Sequence, residues 1–153
     1  MGDEFICVKD TDYADYFENA GKNRVFLLNE KLAENAWNRE VCDGTSSYFD
    51  LPDDCWIVDG KAVQIGRWME AYNNDDNAAV EKLLRAAVDW SDDIFIKFFA
   101  KKKIVFRALW GDFLRYWDEF IAVEDDCSMV IPENESCKEA ILFRPIGDIV
   151  KIG

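Results

Sequence analysis

Residues 94–121 change from the periodicity of a strand to that of a helix, and this change constrains the fold more than any other feature of the chain. Two runs rich in β-branched and aromatic residues, 94–99 and 104–108, flank a short lysine turn and predict an antiparallel hairpin. From 109 to 121, large apolar residues recur at helical spacing, and charged residues occupy the opposite side. The apolar stripe consists of Trp110, Phe113, Leu114, Trp117, Phe120 and Ile121. A hairpin that leads directly into an amphipathic helix predicts a sheet with a helix packed on it.

Other segments also have helical patterns. Asn29 is a candidate N-cap for a helix over 30–37, which is rich in Ala, Leu, Lys and Glu. A further helix is expected to begin within the polar stretch 73–77, because the apolar residues that follow recur at i, i+3, i+4, i+7 and i+8. These residues are Val80, Leu83, Leu84, Ala87 and Val88. Short helical segments are also expected at 13–20 and at 67–72.

The remaining apolar runs predict strands. Strands are expected at 5–9, 25–28, 127–131, 140–143 and 149–152. The run 55–58 precedes the turn pair Asp59-Gly60, so the sequence favours a second hairpin whose return strand is 61–66. Residues 38–55 have no clear period and contain Gly, Ser, Thr and Pro, which is typical of a long surface connection.

Together these elements predict the fold class. At 153 residues the chain has the usual size of one domain. Half of its residues are hydrophobic and 14% are aromatic, which is enough for a sizeable core. No low-complexity linker divides the chain. The sequence therefore predicts a single domain over 1–153, of the α+β class, in which amphipathic helices pack on an antiparallel β-sheet.

The net charge limits the partners of the protein. The chain has 31 acidic and 18 basic residues and a formal net charge of −13. Direct binding to nucleic acid is not expected, because it depends on clustered Lys and Arg, and the three lysines at 101–103 are expected to form only a solvated turn. An anionic membrane is disfavoured for the same reason. A basic protein partner fits this charge, since complementary fields raise association rates by about 10- to 1000-fold at low salt. The alternative is that the acidity only keeps the protein in solution.

The chain contains no histidine. This absence removes the usual base of nucleophilic catalysis and the commonest metal ligand. The five cysteines have irregular spacing and no CxxC pair, which is typical of reduced thiols rather than of a disulfide framework or a zinc site. The start of the chain is acidic where a signal peptide is basic, and the apolar runs are too short to span a bilayer. We therefore expect a cytoplasmic protein that has no cofactor or metal and is not an enzyme.

Adjacent aspartates and six tryptophans are the remaining candidates for chemistry. The aspartate pairs are Asp53-Asp54, Asp75-Asp76, Asp92-Asp93 and Asp125-Asp126. Each pair flanks a predicted element or turn, where aspartate forms capping and turn hydrogen bonds, so these uses are favoured over catalysis or metal binding. Trp90, Trp110 and Trp117 are expected in the core. Trp56 and Trp68 are near acidic loops and are candidate anchors for a partner.

Residues 90–126 resemble a known group of proteins. The block begins at Trp90, passes through the predicted hairpin into a W-x-x-F-x-x-x-W-x-x-F helix that starts at Trp110, and ends in an acidic turn at 124–126. This order is similar to that of small bacterial domains that are themselves similar to immunity proteins of polymorphic-toxin and contact-dependent inhibition systems. Such proteins bind a cognate toxin and block it. The resemblance implies the fold and this mode of action, and it carries over no catalytic residue.

The charge and the resemblance together favour an acidic immunity-type protein that occludes a basic protein toxin, such as a nuclease whose own surface is shaped for phosphate. The predicted contact residues are Asp50, Asp53, Asp54, Trp56, Asp75 and Asp76. Two alternatives stay open. One is a carboxylate-dependent enzyme or carbohydrate-binding domain that uses the tryptophans and aspartate pairs, and the other is an adaptor domain unrelated to toxins.

Overall fold

One antiparallel sheet organises the protein in the computed structural model, which describes residues 5–123, 127–133 and 138–153. Its eight described strands are β1 (Phe5–Cys7), β2 (Phe26–Leu28), β3 (Ala62–Arg67), β4 (Phe95–Lys101), β5 (Ile104–Leu109), β6 (Ser128–Pro132), β7 (Ala140–Phe143) and β8 (Asp148–Ile152). The described helices are α1 (Glu30–Glu40), α2 (Trp56–Asp59), α3 (Met69–Asn73), α4 (Asn77–Ala87) and α5 (Trp110–Ile121). The strand order is β1-β2-β5-β4-β6-β7-β8-β3. The predicted α+β class, with helices on an antiparallel sheet in a single domain, is confirmed.

The hairpin of β4 and β5 and the helix that follows it are confirmed. Phe98 lies opposite Phe106, and both side chains are fully buried on the face that α5 covers. Because a strand sends alternate side chains to opposite faces, Phe99 and Val105 are buried on the other face. The backbone N–H of Trp110 donates to the carbonyl of Ile94, the residue that precedes β4, at 2.8 Å. The sheet is therefore buried on both sides, and α5 is fixed to it at its first residue.

The first face of the sheet is covered by α4 and α5. α5 buries its whole predicted apolar stripe, and α4 begins at Asn77, within the predicted range. The indole N–H of Trp117 donates to the carbonyl of Asn77 at 3.1 Å, which holds α5 against the start of α4. A Cβ on Gly66 of β3 would lie 2.4 Å from Cδ1 of Leu83. Any larger residue at position 66 would therefore force the Leu83 side chain of α4 to move.

The second face is covered first by α1. The side-chain oxygen of Asn29 accepts the backbone N–H of Leu32 at 2.8 Å, so the predicted N-cap is confirmed. α1 continues to Glu40, beyond the predicted end at Trp37. The buried ring of Trp37 meets that of Phe99 edge-on, with 6.1 Å between the ring centroids. Trp37 thus anchors the helix on the sheet, and the three residues that extend it beyond the predicted end, 38–40, are not buried.

Residues 41–57 complete the layer on the second face, whereas the sequence predicts a surface connection over 38–55. The indole N–H of Trp37 donates to the hydroxyl oxygen of Thr45 at 2.9 Å, and this hydroxyl donates to the carbonyl of Cys42 at 2.8 Å. These bonds fold the chain back over α1. The buried apolar residues of this segment are Val41, Cys55 and Ile57.

The predicted hairpin between 55–58 and 61–66 is wrong. Residues 56–59 form the single helical turn α2, and β3 pairs with β8 at the far end of the chain. The backbone N–H of Gly153 donates to the carbonyl of Lys61 at 3.1 Å and extends this pairing by one residue pair. A partner distant in sequence has thus replaced the local hairpin, because β8 pairs along the whole of β3.

The lysine turn between β4 and β5 is not fully solvated as predicted. The ammonium group of Lys102 donates to the carbonyl of Thr45 at 2.7 Å, and that of Lys103 lies 3.5 Å from a carboxylate oxygen of Glu34 in α1. The turn therefore fastens the second-face layer to the tip of the hairpin. This contact is between segments far apart in the sequence, so the composition of the turn gave no sign of it.

Two predicted elements near the N-terminus are shorter than expected. The strand predicted over 5–9 ends at Cys7, where a 3-10 turn (Val8–Asp10) begins, and the helix predicted over 13–20 is a single 3-10 turn (Ala14–Phe17). Both segments place one residue in the core, Val8 and Phe17 respectively. One anchoring side chain per turn is enough here because the sheet supplies the rest of the packing. The predicted pair Asp125-Asp126 lies outside the described residues.

Candidate functional site

The six predicted contact residues fall into two groups on opposite sides of the sheet. Asp50, Asp53, Asp54 and Trp56 belong to the layer on the second face, next to the buried Cys55 and Ile57. Asp75 and Asp76 precede α4, whose buried residues Val80 and Leu84 pack on the first face. The edge strand β3 separates the two groups. The structure therefore does not bring all six residues onto one face.

Asp50 has a structural function in a capping box. Its carboxylate accepts the backbone N–H groups of Ser46 and Ser47, each at 3.0 Å, while the hydroxyl of Ser47 accepts the N–H of Phe49 at 3.1 Å. The hydrogen bond from Ser47 is the main reason that the pKa of Asp50 is lowered. Asp50 therefore shapes the 3-10 turn Tyr48–Asp50 and stays ionised as it does so.

Four aspartates of the same region are not neutralised. We call residues 43–59 the acidic segment. Asp43, Asp53, Asp54 and Asp59 are exposed there, and none forms an ion pair with a described Lys or Arg. The negative potential of an exposed carboxylate without a counter-charge extends into the solvent and attracts an approaching cation. The acidic segment is thus a local source of the negative charge of the protein.

Trp56, the predicted aromatic anchor, is already used inside the protein. Its indole N–H donates to the carbonyl of Glu40 at 2.9 Å, and the ammonium group of Lys138 lies 5.6 Å from the centre of its ring. The side chain thereby ties α2 to the end of α1. Trp68 is engaged in the same manner, because its indole N–H donates to the carbonyl of Arg144 at 2.9 Å. A partner role for Trp56 stays a prediction.

Phe49 is the exposed aromatic residue of the acidic segment, and sequence reasoning missed it. It is 68% exposed and lies between Ser47 and Asp50 of the capping box. Its ring meets that of Tyr48 edge-on at 5.5 Å between centroids. The signal was present in the sequence, since the Ser-x-x-Asp pattern predicts a capped turn, and the residues inside such a turn have few places to be buried.

A second exposed apolar side chain lies in the turn between β7 and β8. Arg144 contacts the phenol of Tyr48 and forms a two-pronged ion pair with Asp148. Two residues after Arg144, Ile146 is 67% exposed in the turn between β7 and β8. Among the described residues, Phe49 and Ile146 are the two most exposed large hydrophobic side chains. Arg144 is thus a neighbour of Tyr48, which precedes Phe49, and it begins the turn that carries Ile146.

Asp148 fixes this corner of the fold. Its side chain is 3% exposed. The hydrogen bonds from Arg144 are the main reason that its pKa is lowered, although burial acts in the opposite direction. A buried carboxylate of this kind is stable only while its partner is in place. Arg144 and Asp148 therefore form a positioning pair for the turn that carries Ile146.

Asp75 and Asp76 are exposed, as predicted, but their surroundings differ from those of the acidic segment. Asp75 adopts a positive φ of 54°, a conformation that Asp tolerates better than most residues. Asp76 is the N-cap residue of α4, and its side chain makes no capping hydrogen bond. No exposed aromatic residue accompanies them in α3 or α4. Their role in partner binding stays a prediction.

A compact set of charges on the second face also escaped sequence reasoning. Lys97 lies 3.1 Å from a carboxylate oxygen of Glu40 and 3.4 Å from one of Glu133, and Arg107 binds Glu133 at 2.7 and 3.0 Å. The guanidinium carbon of Arg107 is 3.6 Å from the centre of the Phe95 ring. Burial raises the pKa of Glu133, but the hydrogen bond from Arg107 and the charge of Lys97 outweigh it, so the pKa is lowered. Arg39 also lies 3.3 Å from Glu40, so three cations surround the two carboxylates, and the set ties α1 to the sheet.

The described residues contain neither a cluster of metal ligands nor a membrane-spanning helix. Within the ranges 5–123, 127–133 and 138–153, no group of three or more Cys, Asp or Glu side chains is arranged to hold a metal ion. In the same part of the chain, no helix is both long and apolar enough to cross a bilayer. The candidate site that the geometry leaves is the acidic segment with Phe49.

The chain belongs to a family described as "Protein of unknown function (DUF2947)", whose family model matches residues 13–153. The match includes every described helix and every described strand except β1. No curated protein and no solved structure matches the chain. The family description assigns no activity, so a function for the acidic segment has to rest on its geometry.

Proposed function

For this member of the family we propose an immunity-type function, in which the acidic protein binds a cognate basic toxin and neutralises it by covering its active surface. The observation that carries the proposal is the acidic segment. Four exposed carboxylates without counter-charges lie there beside an aromatic ring that is 68% exposed. Interfaces of this kind combine a buried aromatic anchor with charges of one sign facing the opposite sign.

The physical mechanism has two parts. The net charge of −13 attracts a basic partner over a range set by the ionic strength, which is about 10 Å at 0.1 M salt. Phe49 and Ile146 then supply apolar contact once the surfaces meet. A toxin that acts on nucleic acid has cationic side chains that bind phosphate. The carboxylates of Asp53 and Asp54 would form ion pairs with those side chains in place of the substrate. Inhibition is therefore steric and electrostatic, without a chemical step.

The experiment starts from the protein encoded next to this one, because an immunity protein is expected beside its toxin. The two purified proteins are titrated by calorimetry at low and at moderate salt. One-to-one binding that weakens as salt rises, with loss of the toxin's activity in the complex, supports the proposal. Absence of binding at both salt concentrations contradicts it. A rise in melting temperature with Mg²⁺ or a glycan instead would favour the enzyme or carbohydrate-binding alternative.

Matched charge reversals locate the contact. Asp53→Lys with Asp54→Lys and Asp75→Lys with Asp76→Lys change the net charge equally but on different sides of the sheet. We expect the first double variant to slow association and weaken binding much more than the second, because a local contact adds to the long-range field. Equal effects would remove the acidic segment as the contact and leave only net charge.

Phe49→Ala tests the apolar anchor separately. It leaves every charge in place, so we expect a faster dissociation and an affinity about 10-fold lower or more, with the salt dependence unchanged. Tyr16→Ala is a matched control, since Tyr16 is 42% exposed and lies in the N-terminal 3-10 turn, away from the acidic segment. An equal loss in both variants would show that Phe49 is not a specific anchor.

A further inference from the structure

Cys42 immediately precedes the acidic segment, and Cys55 lies within it. Cys42 follows the last turn of α1, and Cys55 precedes α2. The thiol of Cys55 lies 3.4 Å from the carbonyl oxygen of Val41, which belongs to the peptide bond leading into Cys42. Standard peptide geometry then places the Cys55 sulfur within about 6 Å of the Cα of Cys42. The side chain of Cys55 is also close enough to that of Cys42 to raise the pKa of Cys42.

The surroundings of the pair differ for its two members. Cys55 is buried at 5% exposure within the second-face core, whereas Cys42 is partly exposed and packs against that core from outside. Burial, followed by the neighbouring Cys55 and the carboxylates of Asp54 and Asp43, raises the pKa of Cys42. Cys42 therefore rests as a thiol at neutral pH, and it is the member of the pair that an oxidant in solution can reach.

We propose that Cys42 and Cys55 are a modification site at which a small-molecule disulfide, such as oxidised glutathione, installs a reversible intramolecular disulfide bond. The Cys42 thiol loses its proton and its sulfur attacks one sulfur of the oxidant; the glutathione that leaves takes up a proton, and a mixed disulfide remains on Cys42. The Cys55 thiol then loses its proton and attacks the Cys42 sulfur, and the second glutathione leaves with a proton. Two protein thiols are oxidised and one glutathione disulfide is reduced to two thiols.

The bond would close a loop that contains Phe49, Asp50, Asp53 and Asp54. A cross-link restricts the unfolded chain, and a loop of roughly this length is expected to raise the melting temperature by about 5 °C or more if its geometry is unstrained. It also fixes α2 to the end of α1. Bond formation is a property of the protein alone and does not rest on the proposed function, although the cross-linked segment is the one we assign to the partner.

The test uses the purified full chain treated with excess oxidised glutathione under native conditions. Expected are an intact mass lower by two hydrogens, a peptide pair joined through Cys42 and Cys55, and full recovery of the thiols after reduction. Cys42→Ser should abolish this bond. Cys7→Ser and Cys127→Ser, as well as Cys137→Ser at a position outside the described residues, should leave it intact.

Three results would overturn the inference. They are persistence of both thiols, a stable mixed disulfide on Cys42 that Cys55 never resolves, and a preferred bond with any other cysteine. Because Cys55 is buried and its replacement risks destabilising the core, Cys42→Ser is the deciding variant, and its circular dichroism spectrum should match that of the parent. A disulfide that forms in a protein unable to bind the neighbouring gene product would leave this inference standing and remove only the proposed function.

Discussion

The acids of α5 and those of the acidic segment lie on opposite faces of the sheet and have opposite surroundings. On the first face, the acids of α5 all have partners: Asp112 binds Arg24, Asp118 accepts from Asn77, and Glu119 accepts the backbone N–H groups of residues 19 and 20. On the second face, four aspartates of the acidic segment have no ion pair among the described residues. The difference indicates that α5's charges stabilise the fold, whereas those of the acidic segment are available to another molecule.

The largest expected effect on stability is a difference between alanine variants of two phenylalanines, one on each face. Phe113 is fully buried against Phe98, Phe120 and Phe143, so Phe113→Ala should lower the free energy of unfolding by about 3–5 kcal/mol. Phe49→Ala should leave stability unchanged, because the ring is 68% exposed. Urea unfolding followed by tryptophan fluorescence measures both. Similar losses in the two variants would mean that Phe49 is packed and that the contrast between the faces is wrong.

The positioning pair of Arg144 and Asp148 gives a pH-dependent effect. Asp148→Asn removes the charge that Arg144 binds and should cost about 2 kcal/mol at pH 7. Because the pKa of Asp148 is lowered in the folded protein, its contribution is fully present above the pKa of the unfolded chain and is lost as pH falls through the folded value. The parent and the variant should therefore converge in stability at acidic pH.

Glu70→Gln is the control for this pH dependence. Glu70 also has a lowered pKa, chiefly through its hydrogen bond with Arg67, but its side chain is 61% exposed. Solvent screens an exposed pair, so its removal should have no resolvable effect on stability. If Asp148→Asn kept a constant deficit down to acidic pH, the carboxylate charge would not be the source of its contribution.

The next effect on stability concerns proline substitutions in the edge strand β3. Since the Gly153 N–H bonds the Lys61 carbonyl, the alternation of an antiparallel ladder turns Val63 toward β8 and Gln64 away from it. Val63→Pro should therefore cost about 1–3 kcal/mol through a lost ladder bond, and Gln64→Pro clearly less. Equal losses, measured by thermal unfolding, would contradict this register.

The two faces also differ in how far the sequence predicts them. α5, α4 and the β4–β5 hairpin were predicted because their apolar residues follow a local period, which depends only on neighbours along the chain. The run 55–58 has no such period. It does not pair with β3, because β8 forms the ladder with β3 instead. The same applies to Trp56, whose indole bond to Glu40 joins segments that the sequence does not show to be adjacent.

The sequence predicts the exposure of the candidate site residues, but it does not predict which of them lie together. Exposure of Asp53, Asp54, Asp75 and Asp76 agrees with the structure, because unpaired acids in turns are seldom buried. Their division between two faces was not foreseeable without the sheet order. A cluster such as Lys97 with Glu40 and Glu133 needs three elements in place before its charges meet, so no spacing in the sequence indicates it.

The smallest effect compares the N-caps of α1 and α4. Asn29→Ala removes the hydrogen bond to Leu32 and should cost about 1 kcal/mol, whereas Asp76→Ala removes no capping bond and should change stability too little to resolve. The two helices also differ in what else holds them. The apolar side of α4 and the bond from Trp117 hold α4 on the first face, whereas α1 is followed by the irregular layer of the second face. Chemical denaturation of both variants decides the matter. A loss in Asp76→Ala as large as in Asn29→Ala would mean that α4 also depends on its first turn, and that packing alone does not account for the stability of the first face.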